Sequence, residues 1–175
     1  MKTLSAVVCV ALVGVAPIAL KFDQQKEKQK MNRTETAVTF IKSDTLPPSV
    51  GYSQAASVRG GRLVYIAGQV AMDPSGKLVG PGDFRAQAEQ SFENLKGALA
   101  ASGASFDNVV KLNSYFVDIK QVPVFREVRD KYINGTHPPV STAVEVRRLV
   151  REEWLIEVEP LQSCRSSCSS NVIGR

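Results

Sequence analysis

The sequence predicts an α+β domain built from a mixed sheet with two helices on one face, and three observations carry that reading. Two segments repeat apolar residues at helical spacing. Five others alternate or are rich in β-branched and aromatic residues, and together they run in the order β-β-α-β-α-β-β. A strand, helix, strand connection then demands at least one parallel crossover in a sheet whose other links are hairpins.

The elements follow in order. "SQAASVRGGRLVYIAGQV" holds two short runs parted by Gly60 and Gly61, which can adopt the positive φ of a two-residue turn, so a hairpin is expected. Asp83 suits the cap of a helix in which Phe84, Ala88, Phe92, Leu95 and Leu99 form a stripe, with Gly103 as the stop. "NVVKLNSYFVDI" reads as a long strand. Pro123 fits the first turn of a second helix, striped by Phe125, Val128 and Tyr132 and ended by Gly135. "TAVEVRRL" and "WLIEVEPL" are the last two strands. Alternation in the second puts Trp154, Ile156 and Val158 on one side and Leu155, Glu157 and Glu159 on the other. A half-apolar second face bearing carboxylates is what a subunit interface with a site in it looks like.

Length and composition suit one core-bearing domain: 175 residues, 43% hydrophobic and 22% charged. Residues 1–20 are an apolar leader, either a signal or anchor segment or an extension preceding a true start at Met31. Residues 21–45 are read as a polar linker, 46–162 as the folded domain and 163–175 as a flexible tail. The formal charge of +5 lies outside the domain, since residues 46–162 hold 13 Lys/Arg and 13 Asp/Glu. A neutral body gives little support to phosphate-backbone binding. Cys164 and Cys168 in "SCRSSCSS" leave open a tail disulfide, but with one histidine, His137, they lack the four ligands of a structural zinc.

Four strings, "GYSQA", "YIAGQVAMDPSGKLV", "VVKLNSYFVDI" and "HPPVSTAVEV…LIEVE", in this order and spacing, resemble the reactive-intermediate deaminase (Rid, YjgF-like) family, also called endoribonuclease L-PSP. The resemblance covers about residues 46–161. It implies a chorismate-mutase-like fold, a homotrimer whose sheets pack into a central barrel, and clefts between subunits. It also implies hydrolysis of enamines and imines such as 2-aminoacrylate to a ketoacid and ammonia, with neither metal nor organic cofactor. In the family an arginine binds the substrate carboxylate, a glutamate on the last strand positions water, a tyrosine lines the cleft and a Gly-Gln pair completes it. These roles fall on Tyr52, Gly68, Gln69 and Glu157, while Ser141 stands where the family has its arginine.

That exchange replaces two parallel charged donors with one neutral hydroxyl. Losing such a pair costs about 1.5–3 kcal/mol, so archetypal 2-aminoacrylate hydrolysis is expected to be weak or absent. Arg147 or Arg148 could supply the missing charge, and alternation lets only one of them face the cleft. Glu157 either performs general acid–base chemistry or is a strand carboxylate paired with a neighbouring arginine, and Glu159 shares its face. Ser141 lacks any GxSxG context for a nucleophile and reads as a loop hydroxyl. The expected function is a deaminase or hydrolase of reactive imines, with a metabolite-binding trimer or an endoribonuclease as alternatives. The expected partners are further copies of the chain and a small metabolite, with membrane contact only through residues 1–20 if they are retained.

Overall fold

The computed structural model describes residues 37–164. The leader, most of the expected linker, Cys168 and the tail disulfide therefore lie outside the described residues. The strands are β1 (Ala37–Ile41), β2 (Ala55–Arg59), β3 (Arg62–Tyr65), β4 (Val109–Phe116), β5 (Val140–Glu145) and β6 (Ile156–Cys164). The helices are α1 (Phe84–Ala101) and α2 (Val122–Arg129).

Four strands form one sheet in the order β3-β6-β4-β5, with β6 antiparallel to both β3 and β4 and β5 parallel to β4. The expected parallel crossover is thus the passage from β4 through α2 to β5. A second one runs from β3 through α1 to β4, because both of those strands oppose β6. Both helices end up against one face, as right-handed crossovers dictate.

Asp83 caps α1, its side chain accepting from the amide of Ala86 at 3.1 Å. All five residues of the predicted stripe are buried. They pack with Phe125 and Val128 of α2, Leu112 and Phe116 of β4, and Ile156 and Val158 of β6 in one cluster. Each of the Phe, Leu, Ile and Val side chains contributes roughly 1.5–3 kcal/mol by leaving water. Gln87, also in α1 and fully buried, donates to the carbonyls of Gly80 and Glu153 and accepts from the amide of Leu155. It therefore ties α1 to the segment feeding β6.

Several expected boundaries are corrected. Gly60 and Gly61 do take positive φ, 70° and 74°. Yet β2 pairs with β1 and β3 pairs with β6, so the two runs of the expected hairpin lie in separate sheets. The run "AVTFI" inside the expected linker supplies β1, short and β-branched enough to pair once β2 presents an edge. Helix α2 stops at Arg129, with Tyr132 and Gly135 beyond it. Strand β5 ends at Glu145, and β6 runs on to Cys164, into the expected tail. The alternation of "WLIEVEPL" holds from Ile156 onward and fails before it. Trp154 sits in a turn and joins Val70 and Leu149 in a second cluster, while Leu155 packs against the main core.

Candidate functional site

The face of the sheet away from the helices carries a polar row. In the β4–β6 ladder Tyr115 stands opposite Glu157 and Asn113 opposite Glu159. Period-2 alternation puts all four on the same side, since Leu112, Phe116, Ile156 and Val158 point into the core. Glu159 is held in place: the Tyr115 hydroxyl donates to its Oε2 at 3.1 Å and the Asn113 amide at 3.3 Å. Glu157 is half-buried, and burial followed by repulsion from Glu159 pushes its pKa up. Burial and the neighbouring carboxylates likewise raise the Tyr115 phenol, so it stays a hydrogen-bond donor.

Gly68 is fitted to Glu157. A Cβ built on Gly68 would fall on the Glu157 carboxylate, which occupies the space a side chain would take. Gln69 holds this segment to the sheet, pairing with Val158 by backbone hydrogen bonds of 2.8 and 3.0 Å, and its side-chain amide donates to the Ala67 carbonyl. Gly68, Gln69 and Glu157 are therefore brought together. Glu157 also opens on a pocket of about 380 Å³ lined by Tyr115, Val146, Arg148, Leu149 and Val150. A carboxyl of raised pKa, a phenol and a guanidinium around an apolar wall can hold a small polar molecule and exchange a proton with it.

Ser141 and Tyr52 lie elsewhere in the chain. Ser141 is in register with core-facing Leu112, hence on the helix-covered side of the sheet rather than the side of Glu157. It is also three residues along from the Tyr115–Val144 pair, about 10 Å. Tyr52 is exposed beside Ser53, whose hydroxyl donates to the Pro138 carbonyl at 2.6 Å and whose amide donates to that of Pro139 at 3.2 Å. The stiff "HPP" segment is thus latched to residues 51–53, and Tyr52 and Ser141 share that corner. The five expected site residues form two groups in one chain.

The arginine expectation changes too. Because β5 ends at Glu145, strand alternation does not govern Arg147 and Arg148, and both are exposed. Arg148 lines the Glu157 pocket, and both arginines line a neighbouring depression with Val117 and Glu152. Tyr115 and Asn113 were not picked out from the sequence. The signal was present, since Lys111, Asn113 and Tyr115 are the alternate positions of a central strand whose other residues, Ser114 aside, are apolar. Among the described residues no group of three or more His, Cys, Asp or Glu is placed to hold a metal ion.

The fold is therefore a chorismate-mutase-like α+β sheet with two helices on one face, and its candidate site is a carboxyl pocket on the open face. Comparison with known proteins narrows this. Residues 42–162 match the sequence model of the family described as "Endoribonuclease L-PSP". Protein DfrA of Myxococcus xanthus is 39% identical over 112 residues, 63% of this chain and 85% of that one. The protein named 2-iminobutanoate/2-iminopropanoate deaminase of Rattus norvegicus is 34% identical over 122 residues, 69% of this chain and 86% of that one. The solved structure of the Rid-family protein YyfB from Yersinia pestis matches with a TM-score of 0.68 at 34% identity, covering 73% of this chain and 98% of that one. The chain belongs to the endoribonuclease L-PSP, or Rid, family.

Proposed function

We propose that this protein is a metal-free deaminase-type hydrolase of reactive imines or enamines, working as a homotrimer with Glu157 as its general acid–base group. The observation that carries the reading is the Glu157 carboxyl, half-buried, raised in pKa and seated against Gly68 beside a pocket holding Arg148 and Tyr115. Relatives named as 2-iminobutanoate/2-iminopropanoate deaminases, at 34% identity in both rat and mouse, support the substrate class.

Hydrolysis of an imine adds water across C=N and then expels ammonia. A carboxyl that is protonated for part of its time can give a proton to the nitrogen, and as carboxylate it can take one from the attacking water. The split of the site residues into two groups favours completion by a second copy of the chain. Exposed Tyr65 and Val144 on the open face, and Val150 beside the pocket, are apolar surface of the kind that such packing covers.

With Ser141 in place of arginine, 2-aminoacrylate itself is turned over slowly. The test is to generate 2-aminoacrylate enzymatically with the purified protein present and follow pyruvate release. A rate equal to that of an arginine-bearing relative contradicts the reading of Ser141, and no activity on any 2-imino acid contradicts the enzyme. Ser141→Arg is expected to raise the rate tenfold or more, by the roughly 1.5–3 kcal/mol of a charge-assisted hydrogen bond. No gain supports instead a trimer that binds metabolites without turning them over. RNA cleavage that survives repurification and is lost in Glu157→Ala would point to the nuclease.

A further inference from the structure

A second cavity lies far from Glu157. It measures about 610 Å³ and is bounded by β1 (Val38, Phe40), the start of β4 with the turn before it (Phe106, Asp107, Val109) and the loop carrying His137. Val109 and Tyr115 are six residues apart on β4, so the two pockets are separated by roughly 20 Å along the strand.

Its lining has a definite chemistry. Phe40 and His137 stack with ring centroids 6.5 Å apart and planes at 11°, an aromatic wall. Phe106, Val109 and Ile133 give an apolar floor. Asp107 is the one acidic residue of the lining, with no lysine or arginine beside it there and no ion-pair partner among the described residues. Thr39 and Asn134 add neutral polar residues to the lining. The lining is mixed polar and apolar, and a cavity of this volume that pairs aromatic side chains with a few polar groups has room and chemistry for a small amphipathic ligand. A lone carboxylate beside aromatic rings repels anions and suits a cation, and the rings attract it further through their π faces.

We propose that this cavity is a second ligand site, selective for a small protonated aromatic amine whose ammonium pairs with Asp107 while its ring lies along the Phe40–His137 wall. His137 and Pro139 belong to the segment that leads into β5, so a ligand here touches the loop that runs into the strand carrying Ser141. The site stands independently of any activity at Glu157.

Tryptamine, neutral indole-3-ethanol and anionic indole-3-acetate form a charge series on one ring, to be titrated calorimetrically into the full chain. Tryptamine is expected to saturate one site per chain, with indole-3-ethanol about tenfold weaker and indole-3-acetate weaker again, as loss of a charge-assisted contact predicts. Asp107→Asn should abolish the preference for tryptamine over indole-3-ethanol, Asp107→Glu should keep it, and Phe40→Leu should weaken both ligands. The proposal is overturned if tryptamine does not saturate the unaltered protein, if the three ligands bind alike, or if Asp107→Asn leaves the preference intact. It is equally overturned if Glu157→Gln removes binding, since the ligand would then sit in the other pocket. The charge series on the unaltered chain decides the matter even if a variant fails to fold.

Discussion

Adding one methyl group at Gly68 tests whether that glycine exists to make room for Glu157. The three heavy atoms nearest a built Cβ all belong to Glu157: Oε1, which it would overlap, then Cδ at 2.7 Å and Cγ at 2.9 Å. Gly68 does not take a left-handed φ, so Gly68→Ala brings no backbone strain and the conflict is with that one side chain. The carboxylate is the movable end of a flexible chain, so the protein should fold, with Glu157 driven off its rotamer and its place. An off-rotamer side chain with mild overpacking costs about 1–2 kcal/mol, a fall in Tm of roughly 3–8 °C. The assay is a double-mutant cycle in urea at fixed protein concentration, comparing Gly68→Ala in the parent and in a Glu157→Ala background. With the carboxylate gone, the alanine should be accommodated almost freely, leaving a coupling of about 1 kcal/mol or more between the sites. Equal costs in both backgrounds would show that the Cβ meets something other than Glu157, and the fitted contact on which the site rests would be refuted. Turnover of an imine substrate should fall at least tenfold in Gly68→Ala, since displacement of a proton-transfer group by about 1 Å is costly.

Further outcomes follow from other parts of the site. Because the folded state raises the pKa of Glu157 from 4.5, the group's contribution to stability is fully present below that value and is lost as pH rises through the raised one. Glu157→Gln should therefore gain stability relative to the parent as pH climbs from 4 to 8, read as Tm against pH, and a variant that instead loses stability relative to the parent over that range contradicts the assigned burial. Gln87→Leu removes two donated hydrogen bonds and one accepted one, and leaves the carbonyls of Gly80 and Glu153 and the amide of Leu155 without their partner. A loss of about 3–5 kcal/mol in urea denaturation is expected, and a loss below about 1 kcal/mol would show that Gln87 is not the tie between α1 and β6.

Much of the fold was legible because the core writes itself into local periodicity. The stripe from Phe84 to Leu99 needs only a 3.6-residue repeat to be seen, and its burial follows from the apolar face having one place to go. Asp83 and Pro123 announce the helix starts through backbone chemistry that needs no partner. Strand pairing is different. The glycines at 60 and 61 specify a turn, but which strand each flanking run joins depends on edges offered by residues far away in the chain, so β2 went to β1 and β3 to β6. Glu157 could be named from the last strand and the family pattern, yet whether its carboxyl was solvated or half-buried depended on Gly68, Tyr115 and Glu159 meeting it in space.

The sequence by itself determined the fold class, the helices and their buried faces, and the family resemblance, because each is encoded in residues near one another along the chain. Only the tertiary structure decided that Ser141 and Glu157 lie on opposite faces of the sheet, that Arg148 reaches the Glu157 pocket, and that Asp107 and His137 share a cavity with Phe40. Those relations come from strand register and from where turns end, which are set by long-range pairing and carry no local periodicity to betray them.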